Sequence, residues 1–568
     1  MEFPIGVSDF ENLIEGDYYF VDKSLLIKEI IEDGSQVLLI TRPRRFGKTL
    51  NLSMLYYFLS NNHSVGKNLF KGLEISKEEE FCKEHQQKYP VIFISFKDIK
   101  RLDYSSAYSS IVLLIKELYA EHRYLLEGDL LAQDEKDTFM ALLNRRADQE
   151  DVEAAIKNLA RYMTRKFKKF PIFLIDEYDT PIQQAYSKEE YYGKMIGLMR
   201  GILGQALKDN KPKDRFLEKA IITGITRVSQ ESLFSGLNNL EVYSVLEEKY
   251  GQYFGFVEEE VLKLIDDSRQ VLELASIKEW YNGYRVGKYA LYNPWSIIKC
   301  LKNKGTLEPY WVNTSSNTLI AELLEGAQLV VKQQFEELLQ GNVVEQPVSK
   351  NLVFPEIRVK DAALWSLLLY AGYLKVLSSE LRGNRLIARL AIPNREVRFV
   401  YDDIIEQWFD RAISLHSYDR FVKSLADGDV DQFKNYLSEY IMQTGSNFEF
   451  NSKTSEQIFH VFILGLVVGL RDYYIIRSNQ ESGLGRFDVV FIPKDKQRKG
   501  ILLEFKTSVT VNLLLEKAGE ALEQIKDKRY MEIFKQHGVD SVLALGLAFC
   551  GKQVELVYEY IGISGSEN

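Results

Sequence analysis

The stretch that decides the fold reads Arg42-Pro43-Arg44-Arg45-Phe46-Gly47-Lys48-Thr49. A short apolar, β-branched run at residues 36–41 precedes it and is typical of a buried strand. Apolar residues at helical spacing follow it at residues 50–59. In a strand, a tight loop and a helix that starts at Gly-Lys-Thr, backbone N–H groups and the helix N-terminus can bind phosphate. We therefore predict that residues 42–49 bind the phosphates of a nucleotide.

The side chains at the end of this loop have specific expected roles. Lys48 would reach the terminal phosphates, and the hydroxyl of Thr49 would hold Mg²⁺. The usual phosphate-binding pattern begins with glycine at the position that Arg42 occupies here. The alternative, for the loop taken alone, is an ordinary helix start that happens to read Gly-Lys-Thr.

A second stretch, at residues 170–179, favours nucleotide binding over that alternative. Its apolar run leads directly into Asp176 and Glu177, which predicts a buried strand that ends in two acids. Asp176 fits the carboxylate that holds the nucleotide's Mg²⁺, and Glu177 fits the base that positions the attacking water. The competing interpretation is a strand that ends in a solvated acidic turn.

Strands and helices alternate over residues 36–240, which predicts a parallel sheet covered by helices on both faces. The strand candidates are residues 37–41, 91–96, 172–176 and 220–225. Polar residues at the C-terminal ends of parallel strands face the ligand crevice. Arg227 follows the last of these strands, so we predict that it senses the terminal phosphate; a surface salt bridge is the alternative.

Length and composition set the limits of the interpretation. A chain of 568 residues with 46% hydrophobic and 27% charged residues is typical of a globular protein of three or four domains. The net charge of −9 excludes a global basic surface for nucleic acid, so such a contact would need local patches. The three cysteines have no metal-ligand spacing, and the N-terminus has no signal-peptide pattern. We expect a cytoplasmic protein that does not span a membrane.

Residues 241–445 are predicted to be mostly helical, with one more specific part. An apolar helix at 363–370, strand-like runs at 373–377 and 385–391 and a helix from 396 onward suggest a winged-helix-like module. Such a module could contact DNA or only pack over the nucleotide-binding domain, and both alternatives stay open. Aromatic residues at 280–284 and 292–295 are interpreted as structural. For those at 18–20, core packing is favoured over stacking on a base.

Residues 446–568 carry a second constellation of polar residues. The predicted order is α-β-β-β-α-β, with a helix at 455–470 followed by strand-like runs at 473–478, 486–492 and 501–505. A symmetric hairpin around the polar turn at 494–498 would place Asp488 directly opposite Glu504. The two-residue period of a strand would then place Lys506 on the same face and Phe505 behind it.

This constellation has the chemistry of a metal-dependent phosphodiesterase. The carboxylates of Asp488 and Glu504, with Glu456 from the preceding helix, can hold Mg²⁺. The metal would activate a water and stabilise charge on a phosphodiester, while Lys506 orients that water or stabilises the phosphate. Gln524, on a helix predicted from residue 513 to about 534, can fix Lys506 or a water. The alternative is a solvated strand pair, on which Glu-x-Lys is common.

At both ends the chain resembles known families. Residues 1 to about 320 resemble the bacterial AAA-ATPase-like family, which carries Arg-Pro-Arg-Arg-Phe-Gly-Lys-Ser/Thr itself, so Arg42 is not a departure from it. The stretches at 4–10, 19–23, 222–224 and 234–239 are similar to it too. The C-terminal part resembles the PD-(D/E)XK nuclease superfamily, in the branch fused to this ATPase. The resemblance implies an α/β P-loop NTPase domain joined to a restriction-endonuclease-like fold.

The domains are therefore expected at 1–240 (AAA-like P-loop ATPase), 241–445 (helical, with the winged-helix-like module) and 446–568 (nuclease-like). We expect ATP and Mg²⁺ as cofactors, with Mn²⁺ able to substitute at the nuclease site. The expected partner is nucleic acid, with DNA favoured over RNA, and a homo-oligomer is left open. The expected function is an ATPase that controls a Mg²⁺-dependent nuclease. The alternative is a nucleotide-dependent switch or scaffold whose nuclease fold is silent and only binds a partner.

Overall fold

The structure is a computed structural model of the chain, and its described residues form two compact units. Unit 1 comprises Met1–Asn313 and Glu345–Val397, and unit 2 comprises Thr314–Val344 and Arg398–Asn568. Residues 2–563 are described apart from 63–68, 187, 209–214, 228–232, 235–236, 312–315, 353, 358, 413–417, 445–461, 463–464, 479–480, 483–484, 487–488, 509, 528–530 and 552.

The first part of unit 1 alternates strands and helices, as the sequence predicts. Its strands are β1 (Val37–Thr41), β2 (Val91–Ser95), β3 (Ile172–Asp176), β4 (Lys219–Gly224) and β5 (Leu240–Tyr243). Its helices are α1 (Phe10–Glu15), α2 (Leu25–Glu32), α3 (Lys48–Leu59), α4 (Glu79–His85), α5 (Tyr104–Glu121), α6 (Gln133–Leu143), α7 (Gln149–Phe167), α8 (Thr180–Ala185) and α9 (Glu189–Leu207).

These five strands form one parallel sheet in the order β2-β3-β4-β1-β5. Every residue of β1, β3 and β4 is buried, so both faces of the sheet are covered there, which is why these strands read as continuous apolar runs. The predicted parallel sheet is confirmed. Strand β5 was not predicted, because it is a four-residue edge strand with the exposed Glu241 in it.

The middle of the chain is largely helical, as expected. Its helices are α10 (Glu258–Ser268), α11 (Leu274–Tyr281), α12 (Pro294–Lys302), α13 (Ser316–Glu325), α14 (Leu329–Leu339), α15 (Asp361–Ala371), α16 (Arg395–Ala412), α17 (Tyr418–Asp427) and α18 (Val430–Thr444). Its strands are β6 (Tyr284–Val286), β7 (Tyr289–Leu291), β8 (Val344–Val348), β9 (Lys375–Arg382) and β10 (Arg385–Ala391).

The predicted helix–hairpin–helix is present as α15, β9, β10 and α16. The hairpin turns at Gly383, and β8 adds a third strand beside β10 that the sequence analysis missed. Helix α15 ends at Gly372, whose φ is +89°, and a Cβ there would lie 2.9 Å from the Cβ of Pro43. The close approach at Gly372 therefore brings the module against the predicted phosphate-binding loop within unit 1.

The C-terminal part of unit 2 forms a five-stranded mixed sheet in the order β11-β14-β15-β16-β17. Its strands are β11 (Tyr474–Ser478), β12 (Glu481–Ser482), β13 (Gly485–Arg486), β14 (Val489–Pro493), β15 (Gly500–Thr507), β16 (Ser541–Cys550) and β17 (Gln553–Gly562); β12 and β13 pair only with each other. Its helices are α19 (Leu514–Asp527) and α20 (Met531–Gln536).

The C-terminal sheet agrees with the predicted order, with one difference in its helices. The sequence analysis expected one helix from residue 513 to about 534, whereas the described residues form α19 and then α20. Most of the predicted helix at 455–470 lies outside the described residues, and 465–470 are helical. No helix among the described residues has both the length and the apolar character needed to cross a membrane.

A buried carboxylate fixes the start of α16. Glu396 is fully buried, and its two oxygens accept hydrogen bonds of 2.8 Å from the Ser296 hydroxyl; Oε1 also accepts one of 2.8 Å from the Trp311 N–H. Burial raises the pKa of Glu396 to about 7, although these hydrogen bonds act in the opposite direction. The folded protein therefore binds a proton here more tightly than the unfolded chain, whose glutamate has an ordinary pKa.

This difference predicts a pH-dependent contribution to stability. Because the folded pKa is raised, the contribution of Glu396 is greatest at pH values below the ordinary pKa and is lost as the pH rises towards about 7. Glu396→Gln should therefore gain roughly 1–3 kcal/mol relative to wild type between pH 6 and pH 8.5. Thermal unfolding at both pH values measures the gain. The exposed Glu127→Gln is the control, and a gain that does not grow with pH would contradict the assignment.

Candidate functional site

The loop between β1 and α3 has the backbone of a phosphate-binding loop. Arg45 and Gly47 adopt left-handed φ values of +67° and +79°, so the chain turns sharply before α3 begins at Lys48. Gly47 is the N-cap of α3, and no side chain caps the first N–H groups of this described helix. These N–H groups, at the positive end of the helix dipole, are therefore available to bind an anion.

Lys48 lies beneath this loop. Its ammonium donates hydrogen bonds to the carbonyls of Arg42 and Pro43, at 3.0 and 2.9 Å. Burial lowers the pKa of Lys48, whereas the negative charges of Glu177 and Asp176 favour its charged form. A cation that loop carbonyls hold in this position is available to a phosphate at the same loop.

The Asp176 carboxylate connects three strands with the loop helix. It is fully buried at the end of β3, and Oδ1 accepts a hydrogen bond of 2.6 Å from the hydroxyl of Thr223 on β4. Oδ2 accepts hydrogen bonds from the hydroxyls of Thr49 at 2.8 Å and Ser95 at 3.4 Å. Burial raises the pKa of Asp176, and the bonds from Thr223 and Thr49 oppose this rise. The structure thus brings together Thr49 and Asp176, the two predicted Mg²⁺ ligands.

The donors at this point fit a small hard cation. A carboxylate and a threonine hydroxyl are oxygen ligands of the kind that Mg²⁺ takes together with water and phosphate oxygens. The Thr49 hydroxyl can donate its hydrogen to Asp176 and still offer a lone pair to a metal. Glu177 follows directly, has a left-handed φ of +50° and accepts a hydrogen bond of 3.1 Å from the Thr180 hydroxyl. Such backbone strain in a non-glycine residue is typical of functional sites.

The other basic residues of the loop have different surroundings. The buried guanidinium of Arg42 donates to the carbonyls of Thr41, Tyr243 and Lys249, at 2.8, 2.9 and 3.3 Å, and burial lowers its pKa to about 9. These bonds make the Arg42 side chain an anchor between the loop and β5, and its backbone N–H also has a partner within the protein, since it donates to the Gly224 carbonyl at 3.1 Å. The guanidinium of Arg45 lies 4.2 Å from the centre of the Trp295 ring.

Three further predicted residues have weaker links to the site. Arg44 is half-buried, and its positive charge adds to the effect of burial in lowering the pKa of Lys48, so it contributes to the positive potential at the loop. Pro43 packs against Gly372 and offers its carbonyl to Lys48. Arg227 follows β4, and its carbonyl accepts a hydrogen bond from Leu352. Its role as a phosphate sensor stays a prediction that depends on strand position.

A cavity of about 280 Å³ opens beside the loop within unit 1. The lining residues from the loop, the start of α3 and the turn after β3 include Arg45, Gly47, Lys48, Thr49, Asn51 and Glu177. Phe46 of the loop and Leu50 of α3 line it as well. The other lining residues come from the N-terminal segment and from two later segments, and they are Pro4, Gly6, Val7, Ser8, Leu13, Tyr19, Phe20, Val21, Lys23, Tyr253, Gly255, Phe256, Pro294, Trp295 and Ile298. A volume of this size beside a phosphate-binding loop is close to that of small-molecule sites.

The sequence analysis missed Asp179, the third acid of the same stretch. Its buried Oδ2 accepts hydrogen bonds from the N–H groups of Ile225 and Thr226 and from the hydroxyl of Thr226, at 2.9–3.0 Å. Asp179 therefore fixes the turn that follows β4. Its position three residues after Asp176, followed by Thr180 and a proline, is the sequence signal of this role.

The second candidate site lies on β15 and α19 in unit 2. Glu504 is 3% exposed, and Lys506 lies on the same face of β15 because strand residues alternate. Gln524 of α19 joins them, since its amide N–H donates to Glu504 and its carbonyl accepts a hydrogen bond of 2.5 Å from Lys506. The structure thus brings together Glu504, Lys506 and Gln524, as predicted.

A glycine allows α19 to approach the sheet closely enough for this contact. Gly546 pairs with Glu504 on the parallel neighbour β16, and a Cβ there would lie 2.2 Å from the Ala518 carbonyl oxygen. The predicted hairpin register is confirmed for the described pairs, in which Val489, Val490 and Phe491 lie opposite Leu503, Leu502 and Ile501. Phe505 is half-buried and stacks on Phe549.

Two predicted metal ligands of this site, Asp488 and Glu456, lie outside the described residues. Among the residues that the structure does describe, no group of three or more His, Cys, Asp or Glu side chains converges on one point. The described part of the site therefore supplies one carboxylate, one ammonium and the amide that positions both.

Comparison with known proteins agrees with this arrangement. Residues 4–234 match the family model described as a predicted AAA-ATPase, and residues 454–559 match the PD-(D/E)XK nuclease superfamily. The chain joins an AAA-ATPase-like region to a PD-(D/E)XK nuclease-superfamily region. Both families recognised in the sequence are thereby confirmed, and both are superfamilies of enzymes.

Two individual proteins are similar to this chain. The "Uncharacterized protein in vnfD 5′region" of Azotobacter chroococcum mcd 1 is 27% identical over 564 residues, which cover 96% of each chain. The Walker-type ATPase paby2304 of Pyrococcus abyssi has a solved structure that covers 66% of this chain and 94% of its own, with 12% identity and a TM-score of 0.30. The first similarity extends over both regions of the AAA-ATPase-like and nuclease-superfamily fusion.

The role of Asp179 in the AAA-ATPase-like region is testable by substitution. Asp179→Ala should destabilise unit 1 by about 2–4 kcal/mol, because it leaves two buried N–H groups and a hydroxyl without their acceptor. Urea unfolding measures this loss. The matched control is Asp98→Ala, an exposed aspartate that should change stability by less than about 0.5 kcal/mol. Equal stability of the two variants would show that Asp179 does not stabilise the turn after β4.

Proposed function

We propose that this protein binds MgATP at the loop of residues 42–49 and hydrolyses it. The observation that supports this proposal best is the hydrogen bond between Thr49 and the buried Asp176, with Lys48 beneath the same loop. When bound, Mg²⁺ would supply charge stabilisation for the phosphates. Thr49 and Asp176 would hold the ion, Lys48 would bind the terminal phosphates, and Glu177 would position the attacking water.

We further propose that the nuclease-superfamily region cleaves nucleic acid, with DNA favoured over RNA, under control of the nucleotide. Its support is the contact of Gln524, on α19, with Glu504 and Lys506, which lie on one face of β15. Glu504 would be a ligand of Mg²⁺ or Mn²⁺, together with Asp488 and Glu456. Lys506, held by Gln524, would orient a water or stabilise the phosphate. Gly372, at the end of α15, packs against Pro43 of the loop. This contact supports the proposal that a change of the bound nucleotide alters residues outside the loop.

ATP hydrolysis is tested with three variants of the loop and of β3. Lys48→Ala should weaken ATP binding, because the phosphates lose a cation, whereas Asp176→Asn and Glu177→Gln should retain more of it and lose turnover. Titration calorimetry and phosphate release measure the two effects. The exposed Lys97→Ala and Glu127→Gln are the matched controls. Undiminished turnover in all three site variants would disprove ATP hydrolysis at this site.

Cleavage is tested by a gel assay of circular DNA, linear DNA and RNA, with and without ATP. Asp488→Ala and Glu504→Gln should each lower cleavage by at least about a hundredfold, since each removes a charged metal ligand. Lys506→Ala should cleave poorly while still binding Mn²⁺, because an ammonium is not a ligand. Mg²⁺ and Mn²⁺ should support the reaction and Ca²⁺ should not.

The controls for this assay lie on α19, next to the site. Glu523→Gln and Lys526→Ala change exposed residues on the helix that carries Gln524, so they should cleave like wild type. Equal cleavage by wild type and by the double variant Asp488→Ala/Glu504→Ala would reveal a contaminating nuclease. If no substrate is cleaved while ATP turnover is intact, the region is instead a nucleotide-dependent scaffold that binds a partner.

A further inference from the structure

The edge of the parallel sheet opposite to the phosphate-binding loop carries a row of cations. The strands of a parallel sheet all begin at one edge, and the loop of residues 42–49 follows β1 at the other edge. Lys88 precedes β2 by three residues, Lys169 precedes β3 by three, and Arg215 precedes β4 by four. Because β2, β3 and β4 are neighbours in the sheet, these three residues follow one another along the edge, about 5 Å from strand to strand.

Backbone hydrogen bonds keep the segments before these strands in the same order. The N–H of Ile172 donates to the Pro90 carbonyl, and the N–H of Glu218 donates to the Pro171 carbonyl, both at 2.9 Å. The row of cations therefore stands on three adjacent segments that the sheet holds in register.

Two of the cations also contact the neighbouring segment through an aromatic ring. The Lys169 ammonium lies 4.0 Å from the centre of the Tyr89 ring, and the Arg215 guanidinium lies 4.6 Å from the centre of the Phe170 ring. Tyr89 is only 8% exposed, so its ring supports the lysine and is not available to stack on a ligand. What the row presents to a partner is therefore its positive charge.

The row continues onto the end of α7, and we name Lys88, Lys166, Lys168, Lys169 and Arg215 the basic edge. Arg215 pairs with Glu218 at 2.9 Å, whereas the four lysines are exposed and form no ion pair among the described residues. Burial lowers the pKa of Lys169, and the charge of Lys88 acts in the same direction, against Glu218 and Glu84. Lys88 and Lys169 thus repel each other, and a bound anion would relieve that repulsion.

The dipole of α7 accounts for only part of this arrangement. Cations at the C-terminal end of a helix are stabilised by its dipole, which favours Lys166 and Lys168 at their positions. Lys88 and Arg215 belong to the segments before β2 and β4, so their presence at the same edge has another cause.

We infer that the basic edge binds the phosphate backbone of nucleic acid. A row of charges across three strands fits a linear polyanion, and side chains that contact only phosphates bind without regard to sequence. A membrane surface fits less well, because a basic patch needs a second, apolar anchor there. Among the described residues, none of the large exposed hydrophobic side chains lies in the segments 85–91, 161–172 or 215–219. The contact lies in the AAA-ATPase-like region, so it is separate from the cleavage site proposed on β15 and does not depend on cleavage.

The test measures binding of a labelled DNA duplex of arbitrary sequence to the full-length chain by fluorescence anisotropy. EDTA is present, so that no metal-dependent cleavage occurs and failure of the proposed nuclease would not affect the result. The quadruple variant Lys88→Gln/Lys166→Gln/Lys168→Gln/Lys169→Gln should bind at least about tenfold more weakly than wild type at about 50 mM salt. The slope of log K against log salt concentration should become smaller by about 2–4, because each lost phosphate contact contributes about 0.9.

The matched control is the quadruple variant Lys97→Gln/Lys100→Gln/Lys263→Gln/Lys304→Gln, which changes the net charge equally at exposed lysines outside the basic edge. Lys168 and Lys304 both have a left-handed φ, so the two sets are also matched in backbone conformation. The control should bind DNA like wild type, and both variants should keep the wild-type unfolding midpoint. Wild-type affinity of the basic-edge variant, or an equal loss in both variants, would disprove the inference. If binding to polyglutamate or to phosphatidylserine vesicles depends equally on the four lysines, the basic edge is a general anion site and the nucleic-acid assignment is wrong.

Discussion

A single buried carboxylate, that of Asp176, joins the helix that follows the loop of residues 42–49 to the parallel sheet of unit 1. Three hydroxyl groups, from Ser95, Thr49 and Thr223, donate to it from three different elements. Because each donor is a neutral hydroxyl, the three hydrogen bonds fix the position of the carboxylate but do not neutralise its negative charge. A buried charge kept in this condition destabilises the protein on its own and favours the arrival of a cation.

Arg42 fixes the same loop to β5, which lies on the other side of β1 from β3 and β4. Its backbone is not in the left-handed region, so the position does not require glycine. Its guanidinium instead binds the carbonyls of Tyr243 and Lys249, and the side chains of both residues bond to Asp33, at the end of α2. A large cation thus replaces the usual small residue because the edge strand and the segment after it supply acceptors for it.

The sequence predicts those features that depend on local patterns. Buried strands such as β3 are short apolar runs with polar residues at their ends, and the register of β14 and β15 follows from the symmetry of their turn. The strand order, and the edge strands β5 and β8, could not be predicted, because weakly apolar strands of four or five residues depend on tertiary pairing. The sequence pattern also identifies the residues of both candidate sites. For Asp488 and Glu456 the placement stays a prediction, because they are not among the described residues.

The walls of the cavity illustrate the other limit of sequence reasoning. Tyr19 and Trp295 are separated by most of unit 1, and both read as ordinary core aromatics. Nothing in the spacing of either segment shows that they line one space with Glu177. Similarly, Arg42 reads as a phosphate ligand because of its position in the motif, and only the carbonyls around its guanidinium show that it is an anchor.

The interleaving of the two units along the chain has a consequence for biosynthesis. Unit 1 is complete only when Glu345–Val397 has been made, and by then Thr314–Val344, with α13 and α14, has already been synthesised. A chain that emerges from its N-terminus therefore exposes the first helices of unit 2 before unit 1 can close. These helices must wait for the 171 residues of Arg398–Asn568 before unit 2 is complete, so unit 1 can close first, while α13 and α14 still lack the rest of their own unit.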